Sequence, residues 1–513
     1  MKISKLTGAL LLLFPTVLSA QEDLNNKLDT YVQKFNSHDN EAVINKIDNK
    51  SSATWMKDNI PLFACPDSAI EEIYYFRWWS YRKHIKDTPE GTVVTEFIEP
   101  VKHAGKYNTI SCALGFHLYE GRWLRHNDFL KEYVDFWLYH ADKGQTKQYF
   151  HAFSSWLPDA LLAYYMVDND TEYLKSRVAD LDKDYQKWEE QRKLDNGLFW
   201  QYDVKDGMEE SVSGGRRVEN MRPTINSYMA ANARALSQIA HIAGKDSLAD
   251  HYQALYTTQT TLLNDSLWDK DDQFFKTRLE KGKGLHSARE AIGFIPWAFH
   301  VAEDSKEHGQ AWKQAIDTAG FKAPWGLTTA ERREPTFRTR GTGHSCEWDG
   351  AIWPFASAET LRGMANFVVD YKKGKTINAS DYYDALQQYA KAHVKNGQPF
   401  IGEYQDEKTG KWLKGDESTR SKFYNHSSYV DLVIQDLVGF KPQLGQSFEL
   451  KPLIPAGKWG YFTLQGVSYK GKTIDIYWDK TGEKYGKGKG LMVFVDGQQK
   501  AKSKKLKPLK INL

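Results

Sequence analysis

Ile225-Asn-Ser-Tyr-Met-Ala-Ala-Asn-Ala-Arg-Ala-Leu-Ser-Gln-Ile-Ala-His-Ile-Ala243, a break at Gly244-Lys245, and then Asp246-Ser-Leu-Ala-Asp-His-Tyr-Gln-Ala-Leu-Tyr-Thr-Thr-Gln-Thr-Thr-Leu-Leu-Asn264 read as two helices joined by a short turn. Apolar residues recur at spacings of three and four, the period of a helix with one buried face. The same pattern predicts helices over Ser68–Lys86, Phe129–Ala141, Ser154–Val167, Thr171–Gln191, Ala288–Val301, Asp349–Asn366 and Asp381–Val394. With the less clear segments this makes about a dozen helices, alternately joined by short turns and by long loops rich in Gly and aromatic residues. A four-helix bundle has no use for so many, and no repeated period marks a solenoid. The expected fold is mainly α, a closed ring of helix pairs, or (α/α)6 barrel.

After Pro442 the period changes to two. Ser447–Ile454, Tyr461–Leu464, Thr473–Trp478 and Leu491–Val495 read as strands separated by turns such as Asp496-Gly497, so a small antiparallel β domain follows the helices. At the other end, two lysines within Met1–Lys5, an apolar run Leu6–Leu18 and the small pair Ser19-Ala20 have the layout of a secretory leader, too short to span a bilayer. The expected organisation is a signal peptide over 1–20, a barrel catalytic domain over 21–440 and a β-sandwich-like domain over 441–513. The expected location is secreted or periplasmic, with no membrane partner.

Composition narrows the function classes. A formal charge of +3 over 513 residues is nearly balanced, and the short lysine stretches between Lys484 and Lys510 read as a solvated face, so no nucleic-acid partner is expected. Cys65, Cys112 and Cys346 lie far apart without zinc-ligand spacing; one disulfide with a leftover thiol and three free thiols both remain open. There is no EF-hand loop or His/Cys cluster, and neither a metal nor a cofactor is expected. The chain carries 17 Trp, 28 Tyr and 25 Phe, and aromatic rings offer apolar faces that stack on the C–H faces of sugars.

Three segments concentrate the residues that chemistry needs. Asp206-Gly-Met-Glu-Glu-Ser-Val-Ser-Gly-Gly-Arg-Arg-Val-Glu-Asn-Met-Arg222 combines glycines, carboxylates and arginines between two helices. Glycosidic cleavage requires a protonated carboxyl to deliver a proton to the leaving oxygen and a second carboxylate to activate water or attack the anomeric carbon. A Glu on a Gly-flanked loop at a barrel mouth is placed to be desolvated and held protonated; Glu209 and Glu210 both qualify, and either also suits a helix cap or an ion pair with Arg216 or Arg217. The second segment, Gly402-Glu-Tyr-Gln-Asp-Glu-Lys-Thr-Gly410, offers Glu403 and Tyr404, with Tyr424 and His426 shortly after. The third, His344-Ser-Cys-Glu-Trp-Asp-Gly-Ala-Ile-Trp353, places Trp348, Asp349 and Trp353 beside Glu347 at the start of a helix, where Asp349 reads either as an N-cap or as a ligand for sugar hydroxyls.

The order and content of these loops resemble the trehalase-like six-hairpin glycosidases, in particular glycoside hydrolase families 63 and 37 and the mannosylglycerate-hydrolase-like group. Gly207-Met-Glu-Glu-Ser211 is similar to their Gly-x-Asp-x-Ser acid loop, Trp348-Asp-Gly-Ala-Ile-Trp353 to the helix start lining their sugar site, and Glu403-Tyr-Gln-Asp-Glu-Lys-Thr-Gly410 to the late loop carrying their general base. The resemblance implies catalysis by Glu209 as acid and Glu403 as base, with inversion and exo action on an oligo- or polysaccharide. Trp348, Asp349, Trp353, Arg222, Tyr404, His426, Arg217 and Trp79 are the expected substrate-binding residues. The acid is Glu where those families carry Asp. The Arg-rich signature of trehalases is only echoed in Phe76-Arg-Trp-Trp79 and Gly121-Arg-Trp-Leu-Arg125. Arg216, Arg217, Arg222, Arg338 and Arg340 suit either an acidic or sulfated sugar or internal ion pairs. A polysaccharide lyase using His344, His426, Tyr404 or Tyr424 as base, and a non-catalytic glycan-binding protein, are the alternatives.

Overall fold

The hairpin that opens the sequence reading is present in the computed structural model, which describes residues 20–142, 148–338, 346–413 and 421–513. In chain order its α-helices are α1 (Ala20–Ser37), α2 (Ser52–Asn59), α3 (Ser68–Lys83), α4 (Leu114–Gly121), α5 (Phe129–Asp135), α6 (Leu157–Asp168), α7 (Thr171–Arg192), α8 (Pro223–Ile242), α9 (Asp246–Leu267), α10 (Ile295–Ala298), α11 (Lys313–Ile316), α12 (Pro354–Val369) and α13 (Ala379–Ala392), followed by a π-helical stretch, Leu432–Leu437. The starts follow local chemistry. Asp67 and Asp170 accept the N–H groups of Ile70 and Tyr173 at the heads of α3 and α7, Asn378 and Asp381 form a reciprocal capping box on α13, and α6, α8, α10 and α12 begin with a proline in the first turn.

Helices α4, α6, α8, α10, α12 and the π-helical stretch pack each against the next, while α9 and α7 cover α8, and α13 packs against α3. The two ends of that series meet. Glu120 Oε1 accepts the backbone N–H groups of Tyr429 and Val430 at 2.5 and 2.9 Å, and Asp431 Oδ1 accepts from Arg122 and from the Trp123 indole, each at 2.7 Å. Arg122 and Asp431 are fully buried, and Arg362 pairs with the other oxygen of Asp431, so removing Asp431 strips two arginines of their carboxylate, at a cost of about 3–5 kcal/mol.

Several expected elements are shorter. The Asp349–Asn366 helix starts at Pro354, because a residue preceding proline is held extended: Trp353 has φ −111° and ψ 128°. Asp349 is therefore not its N-cap. The Ala288–Val301 segment yields a 3-10 turn, Ala291–Phe294, and the short α10, ended by His300 in the left-handed region at φ +55°. Phe129–Ala141 passes from α5 into a π-helical turn, Phe136–His140.

The C-terminal region is antiparallel. Tyr461–Tyr469, Lys472–Asp479, Gly490–Val495 and Gln498–Ser503 run in order, and an edge strand, Leu62–Ala64, joins beside Tyr461–Tyr469 from far upstream. A three-stranded sheet orders Leu509–Asn512, Ser447–Leu450 and Phe440–Pro442. A bulge falls between Leu464 and Val467 at Gly466, φ +71°, whose carbonyl accepts from Arg125 at 3.2 Å. A Cβ there would lie 2.3 Å from the Arg125 guanidinium, so glycine is required both for the dihedral and for this bond between sheet and helices.

Candidate active site

The loop between α7 and α8 is anchored from beneath. Asp206 accepts from Ser154 Oγ at 2.5 Å, Arg222 Nε at 2.6 Å and Thr224 Oγ1 at 2.5 Å, and Arg222 also donates to Ser211 Oγ at 3.2 Å. Arg222 is fully buried, so it serves as the tie beam of the loop, and the structure does not bring it to a substrate surface. Gly207, at φ +73°, lets the chain pass over Cys112. Three residues on, Glu210 takes φ +61°, a conformation unusual outside glycine. Its carboxylate accepts from Arg338 Nη2 at 2.5 Å, while Arg338 Nε donates to Asp349 Oδ2 at 3.0 Å. Arg338 thus clamps the Glu209 loop to the segment before α12, and the Trp348 N–H reaches the Glu209 carbonyl at 3.4 Å.

Glu210 is spent on that ion pair, which separates it from its neighbour. Burial pushes the half-buried Glu209 carboxyl up to about 7, and the negative charges of Glu403 and Asp203 push the same way, against its own backbone N–H and the exposed Arg216. The charge of Glu403 therefore reaches Glu209. Glu403 is buried, and its two oxygens are differently served: Ser421 Oγ donates to Oε2 at 2.9 Å and Cys346 Sγ to Oε1 at 3.5 Å. Its loop is held by reciprocal backbone bonds between Gln405 and Ile352 at 2.9 and 3.0 Å.

Around the two acids, Trp353 stacks with Trp348 at 4.5 Å and with Tyr404 at 4.8 Å between ring centroids, and His426 lies edge-on to Trp353 at 6.1 Å. Trp348, Trp353 and Tyr404 are buried, so they build a rigid wall, not an exposed platform. The Trp348 indole N–H, Asp349 Oδ1 and both ring nitrogens of His426 have no hydrogen-bond partner among the described residues. Burial holds His426 well below its ordinary pKa and hence neutral, and lifts Asp349 to about 6 against the pull of Arg338. Of the remaining expected residues, Arg217 is exposed, as is Arg216, whose charge reaches Glu209. Trp79 is buried on α3 between Phe35, Phe76 and Phe423, with its N–H on Asn36, as part of the core. Arg340 and His344 lie outside the described residues.

Two contributors carry no signal in the sequence. Glu96, buried, accepts from the Tyr424 hydroxyl, and its charge reaches Cys112, which also feels Glu209. Ser421 serves Glu403. These residues come from distant loops and carry no local motif. All three cysteines are unbridged. Among the described residues no group of His, Cys, Asp and Glu is arranged to hold a metal ion, and no helix is long and apolar enough to cross a membrane.

Two neighbouring carboxyls with opposed environments, one half-buried and one buried, in loops at the ends of packed helices, are the equipment of a glycosidase. The model of the mannosylglycerate hydrolase MGH1-like glycoside hydrolase domain matches residues 106–427, well over half of the chain, and the protein belongs to that family. The C-terminal domain of glycosyl hydrolase family 65 matches residues 443–501. A solved structure named "Sialidase" is 46% identical over 95% of this chain with a TM-score of 0.91, and the chain spans 44% of that protein's length. The family 63 mannosylglycerate hydrolase from Thermus thermophilus, in complex with glucose, is similar at a TM-score of 0.52 and 13% identity over 70% of this chain and 98% of its own. The family 78 rhamnosidase of Bacillus sp. GL1 is similar at 0.59 and 12% identity over 85% and 41%. The last two similarities concern the fold.

Proposed function

We propose that the protein hydrolyses a glycosidic bond of an oligo- or polysaccharide with inversion, Glu209 protonating the leaving oxygen and Glu403 activating the attacking water. The observation that carries this reading is the asymmetry between two carboxyls whose charges interact: the one poised near neutrality is fit to give a proton, and the other accepts from a hydroxyl and a thiol. In this reading the six neighbouring helical segments α4, α6, α8, α10, α12 and Leu432–Leu437 form the inner ring of an (α/α)6 barrel over 21–440, capped by the β region from 441. The chain acts outside the cytoplasm after loss of its first 20 residues, and it attacks chain ends.

The lyase alternative gains nothing from the geometry. Burial raises the Tyr404 and Tyr424 phenols far above neutrality, and nearby carboxylates add to the rise. The test is a panel of aryl glycosides and oligosaccharides with the product anomer followed by NMR. Inversion is expected, with a carboxyl separation of roughly 6.5–9.5 Å in a ligand complex. A retained anomer, or an unsaturated product absorbing in the ultraviolet, refutes it.

A further inference from the structure

A cavity of about 500 Å³, lined by neither of the two acids, opens between α11, α12, α13 and the tight hairpin Lys322–Leu327. That volume falls in the range of about 300–1,000 Å³ typical of small-molecule sites. The hairpin is rigid: Ala323 N–H bonds the Gly326 carbonyl at 2.9 Å, and Gln388 on α13 donates to the carbonyls of Ala323 and Pro324 at 2.7 and 2.8 Å. At its tip stands Trp325, half-buried, its indole against the backbone of Gly410, where a Cβ would lie 2.4 Å from the ring. No hydrogen bond uses the Trp325 N–H among the described residues.

The lining selects a chemistry. Leu327, Ile316 and Met364 supply an apolar floor, while Asp381 and Asp384 are balanced by Lys322 and Lys391. An anionic ligand would meet as many carboxylates as ammonium groups, and a purely apolar one would strip water from all four charges without replacing it. A neutral saccharide satisfies both parts, with its C–H face on the indole and apolar floor and its hydroxyls accepting from the lysines and donating to the carboxylates.

We propose that this groove is a second carbohydrate site, which holds a neutral saccharide segment on Trp325, Asp384 and Lys391. It shares with the functional reading the premise that the protein handles glycans, but it does not depend on which residues cleave them. Its role is to retain a long substrate through a part that does not react.

Native gels containing dextran, galactomannan, xyloglucan or arabinogalactan, with polygalacturonate as the anionic control, test it on the full chain and on Glu209→Gln. Retardation is expected in at least one neutral gel, equal in the two proteins, and weakened at least fivefold in Trp325→Ala and in Asp384→Ala. Asp384→Ala, exposed on α13, should cleave a small aryl glycoside within about twofold of the parent, which separates loss of the groove from loss of the fold. No retardation in any neutral gel, retardation by polygalacturonate alone, or unchanged retardation in both variants overturns the proposal. If retardation depends on Trp325 but no glycoside is cleaved, the groove stands and the catalytic reading fails.

Discussion

The loop carrying Glu209 and the loop carrying Glu403 bring the same functional group within reach of each other's charge and treat it in opposite ways. The first is anchored through its backbone and its neighbours. Asp206 is held by Ser154, Arg222 and Thr224, and Glu210 is held by Arg338, so the chain is rigid while the Glu209 carboxyl is left in a poorly solvated position beside another acid. The second loop brings donors to the carboxylate itself, from Ser421 and Cys346. Rigidity of the loop and solvation of the side chain are thus separable, and under the proposed mechanism their different combination suits one glutamate to the part of acid and the other to that of base.

Removing either carboxyl breaks this comparison outright. Glu209→Gln and Glu403→Gln should each lower kcat by about 10²–10⁴-fold while leaving the thermal transition in place, read by steady-state kinetics and a melting curve. Substrates with an activated leaving group should spare Glu209→Gln more than Glu403→Gln, because a good leaving group does not need the proton. Equal sparing would remove the division of roles.

Loosening the clamp is the next largest effect. Arg338→Met takes the guanidinium away from Glu210, which must still hold the left-handed region, and kcat/KM should fall by about tenfold, in the range expected for misplacing a catalytic group. Glycine adopts that dihedral freely, so Arg338→Met combined with Glu210→Gly should recover much of the loss. If the double variant is as poor as Arg338→Met alone, Arg338 acts through Asp349.

The pH profile sharpens the comparison further. In its proposed role Glu209 gives a proton only while protonated, so activity should be lost as pH rises through about 7. Arg216 holds that value down; with Arg216→Met the limb should move to higher pH by a few tenths of a unit, a small shift because this arginine is exposed. A downward shift would show that another group sets the limb.

What was legible in the sequence divides along the same line. The α8–α9 hairpin and the later strands were readable because burial of one face imposes a local period. Glu209 and Glu403 stood out because a carboxyl flanked by glycine or an apolar pair on a long loop is locally unusual. Arg222 was misassigned for the opposite reason: an arginine in a polar loop looks available, and only the fold shows it buried on Asp206. Trp79 likewise became core because α3 is covered on nearly every side. Glu96, Ser421 and the strand Leu62–Ala64 were invisible, since each acquires its role from a partner far away in the chain or from a loop with no motif of its own.

Glu359 provides the smallest and most discriminating test, because it is a buried carboxyl outside the acid pair. It accepts from the Tyr228 hydroxyl at 2.6 Å, its other oxygen has no partner among the described residues, and burial lifts it to about 8, against the Tyr228 bond and with the push of Asp206. The fold therefore favours its neutral form. That contribution is fully present below the ordinary carboxyl value near 4.5 and is lost as pH rises through about 8. Glu359→Gln keeps an acceptor for Tyr228 and has no proton to lose. Its melting temperature should match the parent near pH 4.5 and exceed it by about 2 °C or more above pH 8, with kcat within about twofold, since it does not border the acids. A fall in kcat comparable to that of Glu209→Gln would mean that burial alone does not distinguish a structural carboxyl from the catalytic one here. An unchanged difference in melting temperature from about pH 5 to about pH 9 would show that Glu359 is already ionised in the folded protein.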